Sequence, residues 1–240
     1  MTSTPEYPSP DEATIIRAAE KLMEETMARY DCSHDAYHVH RVRKTALQLA
    51  RALPSPETER APDLLTIELA ALLHDVLDKK YVSAADAADP YAYFLPFFAS
   101  LRPSAPSIDL VSDGRARAIA RIVENVSWTT EKRLRKEGAW GEWHERCVEL
   151  HCVQDADRLD AIGAFGIMRC AAYSAATNHV LHAPHGDAHQ PTSAVQHFYD
   201  KLLHIRERMK TAPGKQAAEK RHQLMLDFLK GVGDEANAVF

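Results

Sequence analysis

Apolar residues recur at three- and four-residue spacing through most of this 240-residue chain, and no segment sustains a two-residue alternation. That period commits the chain to helices, since about 3.6 residues per turn is the geometry that gathers such positions onto one face. No internal repeat breaks the chain into modules. The predicted fold class is therefore all-α, a helical bundle. The length suits one well-buried domain and would make two cramped.

Residues 1–8 are rich in proline and hydroxyls and are expected to form a disordered lead. Helix begins at Ser9-Pro10-Asp11-Glu12, where Ser9 can cap, Pro10 suits the first helical position and Glu12 completes a capping box. A second helix is predicted from Asp35 to Leu53, stopping before Pro54. A third starts near Pro62-Asp63, turns Leu65, Leu69, Leu72 and Leu73 inward, and ends at His74-Asp75. Residues 81–114 are less regular and read as a short helix plus a lid-like insertion. Their aromatics, Tyr91, Tyr93, Phe94, Phe97 and Phe98, are expected to pack in the core, with a base-stacking surface as the lesser reading. Further helices are predicted over 114–125, 142–152, 155–177, 193–209 and 215–229. Gly231 and Gly233 are expected to stop the last of these and leave 231–240 as a flexible tail, so the folded domain spans 9–230.

Composition narrows the function classes. A hydrophobic share of 45% with 26% charged residues is that of a soluble globular protein. The net charge of -5 gives no general attraction for nucleic acid or anionic membranes. No apolar run approaches the roughly 20 residues that span a bilayer, and the N-terminus lacks the basic-then-apolar build of a secretory signal. Cys32, Cys147, Cys152 and Cys170 form no Cys-x-x-Cys pair, which disfavours a thiolate zinc site and fits free thiols in a cytoplasmic protein.

The chemistry-bearing residues lie on separate predicted helices. His34, His38 and His40 cluster at the start of the second; His74 and Asp75 close the third; Asp155 and Asp157 begin a later one. Neutral imidazoles with carboxylates suit a divalent cation that activates water. Asp75 ends an apolar helix, so burial there demands a counter-charge, either a metal or Lys79 or Lys80. Asp155 and Asp157 are two apart and face opposite ways, so one is a candidate ligand and the other a cap or orienting group. No phosphate-binding glycine loop, Gly-x-Ser-x-Gly elbow or Cys/His nucleophile pair appears.

These residues resemble the HD-domain superfamily of metal-dependent phosphohydrolases, whose signature is H…HD…D on a helical core. His38-Val39-His40-Arg41-Val42 matches its His-x-x-Arg-Val pattern, and Ala156-Asp157-Arg158-Leu159 its Ala-Asp-Arg-Leu pattern. The resemblance thus implies His38, His74, Asp75 and Asp157 as ligands. Leu72-Leu73-His74-Asp75-Val76-Leu77-Asp78-Lys79-Lys80, the run from Val153 to Ala164, and His197-Phe198-Tyr199-Asp200-Lys201 are similar to the YpgQ/YedJ-like small HD hydrolases. That group implies one divalent ion, Mn²⁺ or Mg²⁺ before Fe, Co, Ni or Zn, and cleavage of nucleoside triphosphates to monophosphate and pyrophosphate. The partner is then a nucleotide or another phosphorylated small molecule; a homo-oligomer is compatible with the sequence.

Asp78 and Lys80 are expected at the rim, as proton acceptor and phosphate counter-charge, and Arg158 as a phosphate fork or a pin for Asp75. Arg41, Lys80, His197 and Lys201 are the expected substrate contacts; His197 and Lys201 are four apart on one predicted face. His144 and His151 fall where two-metal HD proteins carry extra ligands, yet no His-His doublet accompanies them, which favours a mononuclear site and a solvated helix face. His179, His182, His185 and His189 are read as an exposed loop. Competing readings are a 5′-nucleotidase or other HD phosphomonoesterase or phosphodiesterase, a nucleotide-sensing module, and a di-iron HD oxygenase.

Overall fold

The structure, a computed structural model, describes residues 7–28, 35–54, 61–77, 82, 83, 85 and 88–237. Among them the regular structure is helical throughout, as the apolar period requires. The chain divides into two units, one reaching Gln154 and the other starting at Asp155. The division falls inside a single unbroken helix, Val148–Asp160.

In the first unit, α1 (Pro10–Met27) begins at the expected capping box: Ser9 Oγ accepts from Glu12 N, and the Glu12 carboxylate accepts from Ser9 N at 2.7 Å. Asp35 caps α2 (Ala36–Ala52), and Asp63 caps α3 (Leu64–Leu73). Every residue of α3 from Leu65 to Leu73 is buried, so this helix is the axis on which α1, α2 and α5 (Arg115–Asn125) pack. A helix apolar on all sides has no solvent face and can only be central. Its one charge is Glu68. Arg43 on α2 donates to Glu68 Oε1 at 2.6 Å and to Glu20 at 3.1 Å, and the Tyr7 hydroxyl donates to the other Glu68 oxygen. Burial and the Glu68 carboxylate push the Tyr7 phenol far above its ordinary value. Tyr7 lies in the stretch read as a lead, and this contact ties it to the core.

Within 81–114, α4 (Pro90–Ser100) is a full helix capped by Asp89. Phe94 and Phe98 are buried in the core, whereas Tyr93 is exposed. A helix absent from the sequence-based expectation follows, α6 (Trp128–Lys136). The predicted 142–152 helix is two pieces, α7 (Glu142–Arg146) and α8 (Val148–Asp160), separated at Cys147, whose ψ of 97° is extended.

In the second unit, the expected 155–177 helix ends with α8 at Asp160, and α9 (Gly163–Ala176) starts afresh from Gly163, whose φ of +74° favours glycine. The expected 193–209 helix is α10 (Ala194–Asp200) and a 3₁₀ helix over Leu202–Arg208, divided at Lys201. The last helix, α11 (Ala212–Ala236), continues through Gly231 and Gly233, neither of which adopts the left-handed backbone that stops a helix. A Cβ at Gly166 would lie 2.4 Å from the Ala161 carbonyl oxygen. Gly166→Ala is therefore expected to cost about 1–3 kcal/mol through overpacking, seen as a lower urea midpoint. No described helix is long and apolar enough to cross a membrane.

Candidate metal centre

His38 stands in the first turn of α2, where Asp35 fixes the backbone by accepting from His38 N at 2.9 Å. His74 is the residue on which α3 ends. Both side chains are almost fully buried, and their rings meet edge to face with centroids 5.4 Å apart. His74 Nδ1 lies 2.8 Å from the Ala71 carbonyl. A carbonyl only accepts, so Nδ1 carries a proton, and whenever the ring is neutral Nε2 is the nitrogen with the lone pair. A backbone carbonyl fixing one nitrogen while the other faces a site is the arrangement of metal-ligating histidines.

Asp75 places Oδ2 3.4 Å from Nε2 of both His38 and His74. Burial by itself would push this carboxyl up, but the neighbouring charges and hydrogen bonds of His74 and His38 hold it well below the usual carboxylate range. The site therefore has a fixed negative charge between two imidazoles.

Asp157 follows Gln154 by three residues on the unbroken α8. One carboxylate oxygen of Asp157 and one ring nitrogen each of His38 and His74 lie within 4.8 Å of one another. Opposed ligands of one ion with bonds of about 2.1 Å are about 4.2 Å apart, so the three atoms nearly have the spacing of a coordination sphere. Two imidazoles and a carboxylate, with a second carboxylate beside them, are a donor set that fits a divalent cation.

Other sequence candidates are distributed differently. Asp78 and Lys80 lie outside the described residues. Arg41 is half-buried, one turn beyond His38 on α2. Arg158 is buried and donates to the Arg208 carbonyl at 2.7 Å. His197 lies on α10, and Lys201 is the residue at which that helix ends, its N–H donating to the His197 carbonyl at 3.0 Å. Partial burial and the Lys201 charge push the His197 imidazole below its usual value.

His144 and His151 are on different helices and neither is on a solvated face. His144 is buried, stacked on Trp140, accepts from Gly141 N at Nδ1 and donates from Nε2 to Asn125 Oδ1 at 3.2 Å. His151 Nε2 donates to the His144 carbonyl at 2.8 Å. Burial and the Arg121 charge push the His144 imidazole down, keeping it neutral. Both rings serve the packing of α7 and α8. The loop histidines at 182, 185 and 189 are surface residues, as is His179. Among the described residues a second trio, Glu20, Glu24 and His40, has ligand-like spacing, but Arg43 already lies 3.1 Å from Glu20 and supplies positive charge there.

One buried group was underread from sequence. Asp155 appeared as a generic cap or orienting group; it is fully buried, and its carboxylate takes three hydrogen bonds from Lys210 and Thr211. The signal available was an aspartate within Cys152-Val153-Gln154-Asp155-Ala156, an otherwise uncharged run.

No family model matches the sequence. YpgQ of Bacillus subtilis is 34% identical over 198 residues, which span 82% of each chain. An HD-superfamily hydrolase from Bacillus thuringiensis superposes with a TM-score of 0.67 at 28% identity, covering 95% of this chain and 99% of that one. The chain belongs to the HD-domain superfamily, among its YpgQ-like members. The crystal structure of Bacillus subtilis YpgQ in complex with ADP matches over 94% of this chain and 96% of that one, at TM-score 0.64 and 25% identity. In this YpgQ-like chain the adjacent His74 and Asp75 stand at the end of α3, with His38 preceding them on α2 and Asp157 following on α8.

Proposed function

We propose that the chain is a metal-dependent phosphohydrolase of nucleotides, cleaving a ribo- or deoxyribonucleoside triphosphate to the monophosphate and pyrophosphate. The observation that carries this reading is the convergence of His38, His74 and Asp157, with three ligand atoms inside 4.8 Å. His38, His74, Asp75 and Asp157 would hold one divalent cation, Mn²⁺ or Mg²⁺ in first place. When bound, such a cation lowers the pKa of a water and offsets charge developing at phosphorus.

The chain's own groups do the rest. The Ala71 carbonyl keeps His74 in the tautomer that offers Nε2. Asp75 contributes negative charge that favours a cation over a proton-sharing histidine pair. Arg41, Lys80 and Lys201 are assigned to the phosphates, His197 to the distal end of the substrate, and Asp78 to accepting the proton of the attacking water. Arg158, bonded to the Arg208 carbonyl, is assigned to holding α8. The ADP complex of YpgQ supports a nucleotide as ligand. The internal use of both His144 ring nitrogens and of His151 Nε2 supports one ion over two.

The test is a panel of nucleoside mono-, di- and triphosphates incubated with chelator-stripped protein plus Mn²⁺, Mg²⁺ or Co²⁺, with products identified by phosphorus NMR. Pyrophosphate and monophosphate in equal amounts are expected. Orthophosphate with free nucleoside would instead identify a phosphomonoesterase, and stoichiometric retention without product a sensing module. Two irons per chain with oxygen uptake would mark an oxygenase.

A further inference from the structure

We propose that Asp155 is a positioning residue for Asp157, acting through a clamp that sets the roll of α8 about its own axis. This rests on the metal-centre reading above and deepens it. The clamp is built from one segment, 208–221. Lys210 N donates to Asp155 Oδ1 at 2.8 Å, and Thr211 donates to Oδ2 from N at 2.8 Å and from Oγ1 at 2.7 Å. Thr211 Oγ1 in turn accepts from Gly214 N at 3.0 Å, so the hydroxyl that caps α11 also bonds α8. One turn along, Arg158 donates to the Arg208 carbonyl at 2.7 Å, and Arg221 donates to the Leu159 carbonyl. No side chain fits at Gly214, where a Cβ would lie 2.3 Å from Asp155 Oδ2 and 2.7 Å from Thr211 Oγ1.

Asp155 and Asp157 are separated by two steps of about 100° and so lie on nearly opposite sides of α8. Gripping one side therefore fixes the direction of the other. A carboxylate sits about 5–6 Å from a helix axis, where a roll of 10° displaces it by about 1 Å. Errors of that size are enough to cost a site two orders of magnitude. The three hydrogen bonds on Asp155 are charge-assisted and buried, which makes the roll stiff. The two aspartates thus divide the work: one faces the cation and the other holds the helix that carries it.

The experiment measures Co²⁺ and Mn²⁺ binding to the stripped full-length chain by calorimetry, with the visible absorption of bound Co²⁺ as a report on ligand geometry. Asp155→Asn puts a donor amide where an acceptor is needed and can cost the fold, so Thr211→Val, which deletes one hydroxyl, is the deciding variant, with Thr211→Ser as rescue. Thr211→Val is expected to bind Co²⁺ about 10–100-fold more weakly, with a changed absorption band and native circular dichroism, while Thr211→Ser matches wild type. Wild-type affinity and spectrum in Thr211→Val, alongside lost binding in Asp157→Ala, would overturn the clamp and leave the metal centre standing. Absent binding in the wild type, or undiminished binding in Asp157→Ala, would overturn the metal centre itself and this inference with it.

Discussion

Replacing His74 with alanine is expected to strip the chain of its divalent cation and to lower kcat/KM by about a thousandfold or more. Lewis-acid stabilisation of a phosphoryl transition state is worth several kcal/mol, and each 1.36 kcal/mol is a factor of ten in rate. The loss should be near complete because His74 offers a lone pair already oriented by the Ala71 carbonyl 2.8 Å from its Nδ1. Alanine removes both that donor and the ring against which His38 packs edge to face. Asp157→Ala is expected to behave in the same way from the opposite direction, since it removes a carboxylate and leaves the two imidazoles. Metal content by elemental analysis and turnover of a nucleoside triphosphate are the readouts, with circular dichroism to establish that α3 survives. Retained metal and undiminished hydrolysis in His74→Ala would dismiss the ligand assignment.

The second large effect is on stability. Arg43→Ala should destabilise the first unit by about 3–5 kcal/mol, because removing one partner of a buried ion pair leaves the other charge uncompensated. Glu68 is 3% exposed and sits in the most apolar of the described helices. Its oxygens are taken by Arg43 and by the Tyr7 hydroxyl. Without the guanidinium, a carboxylate is left in an aliphatic core with one neutral donor. The Arg43 side chain is about a quarter exposed, so water can reach part of the vacated space, and the lower end of the range is expected. Urea unfolding followed by circular dichroism measures the loss. Replacing both residues with leucine should recover most of it, since a buried pair and an apolar pair of similar volume are often equivalent. A loss below 1 kcal/mol in Arg43→Ala would overturn this ion pair as a determinant of the first unit's stability.

Helix starts were legible at three capped positions of the first unit, whereas the caps at Ser127 and Thr211 went unread. Ser9, Asp35 and Asp63 each stand one residue before the helix they cap. The resemblance to H…HD…D singled out His38, His74 and Asp157 among several histidines and aspartates, and the structure places a ligand atom of each within 4.8 Å of the others. What escaped the sequence were breaks with no local marker. Cys147 turns the chain by its own extended ψ, with no proline or glycine on either side to announce it. Gly163 looks like a helix-interior residue until its positive φ is seen, and Lys201 carries no breaking chemistry at all. Helix α6 was hidden for a different reason: Trp128–Lys136 is nearly all polar, and its only buried member is Glu131, so it has no apolar stripe to read. Gly231 and Gly233 erred in the opposite sense, since a glycine permits a stop without compelling one. Roles of distant partners, such as Thr211 on Asp155, depend on contacts 56 residues apart that no local pattern encodes.

The lone acid of α3 has an effect beyond the energy of its ion pair. Leucine, isoleucine and alanine cover that helix so evenly that its azimuth is degenerate: turned by one residue's worth, it would still meet greasy neighbours. Glu68 removes the degeneracy, because only one orientation brings its carboxylate to the guanidinium on α2. His74 emerges six residues later, about 9 Å farther along and some 240° around. The pair therefore works as an alignment key, and the heading at which an imidazole leaves the far end of the helix is chosen by a charge that never touches it.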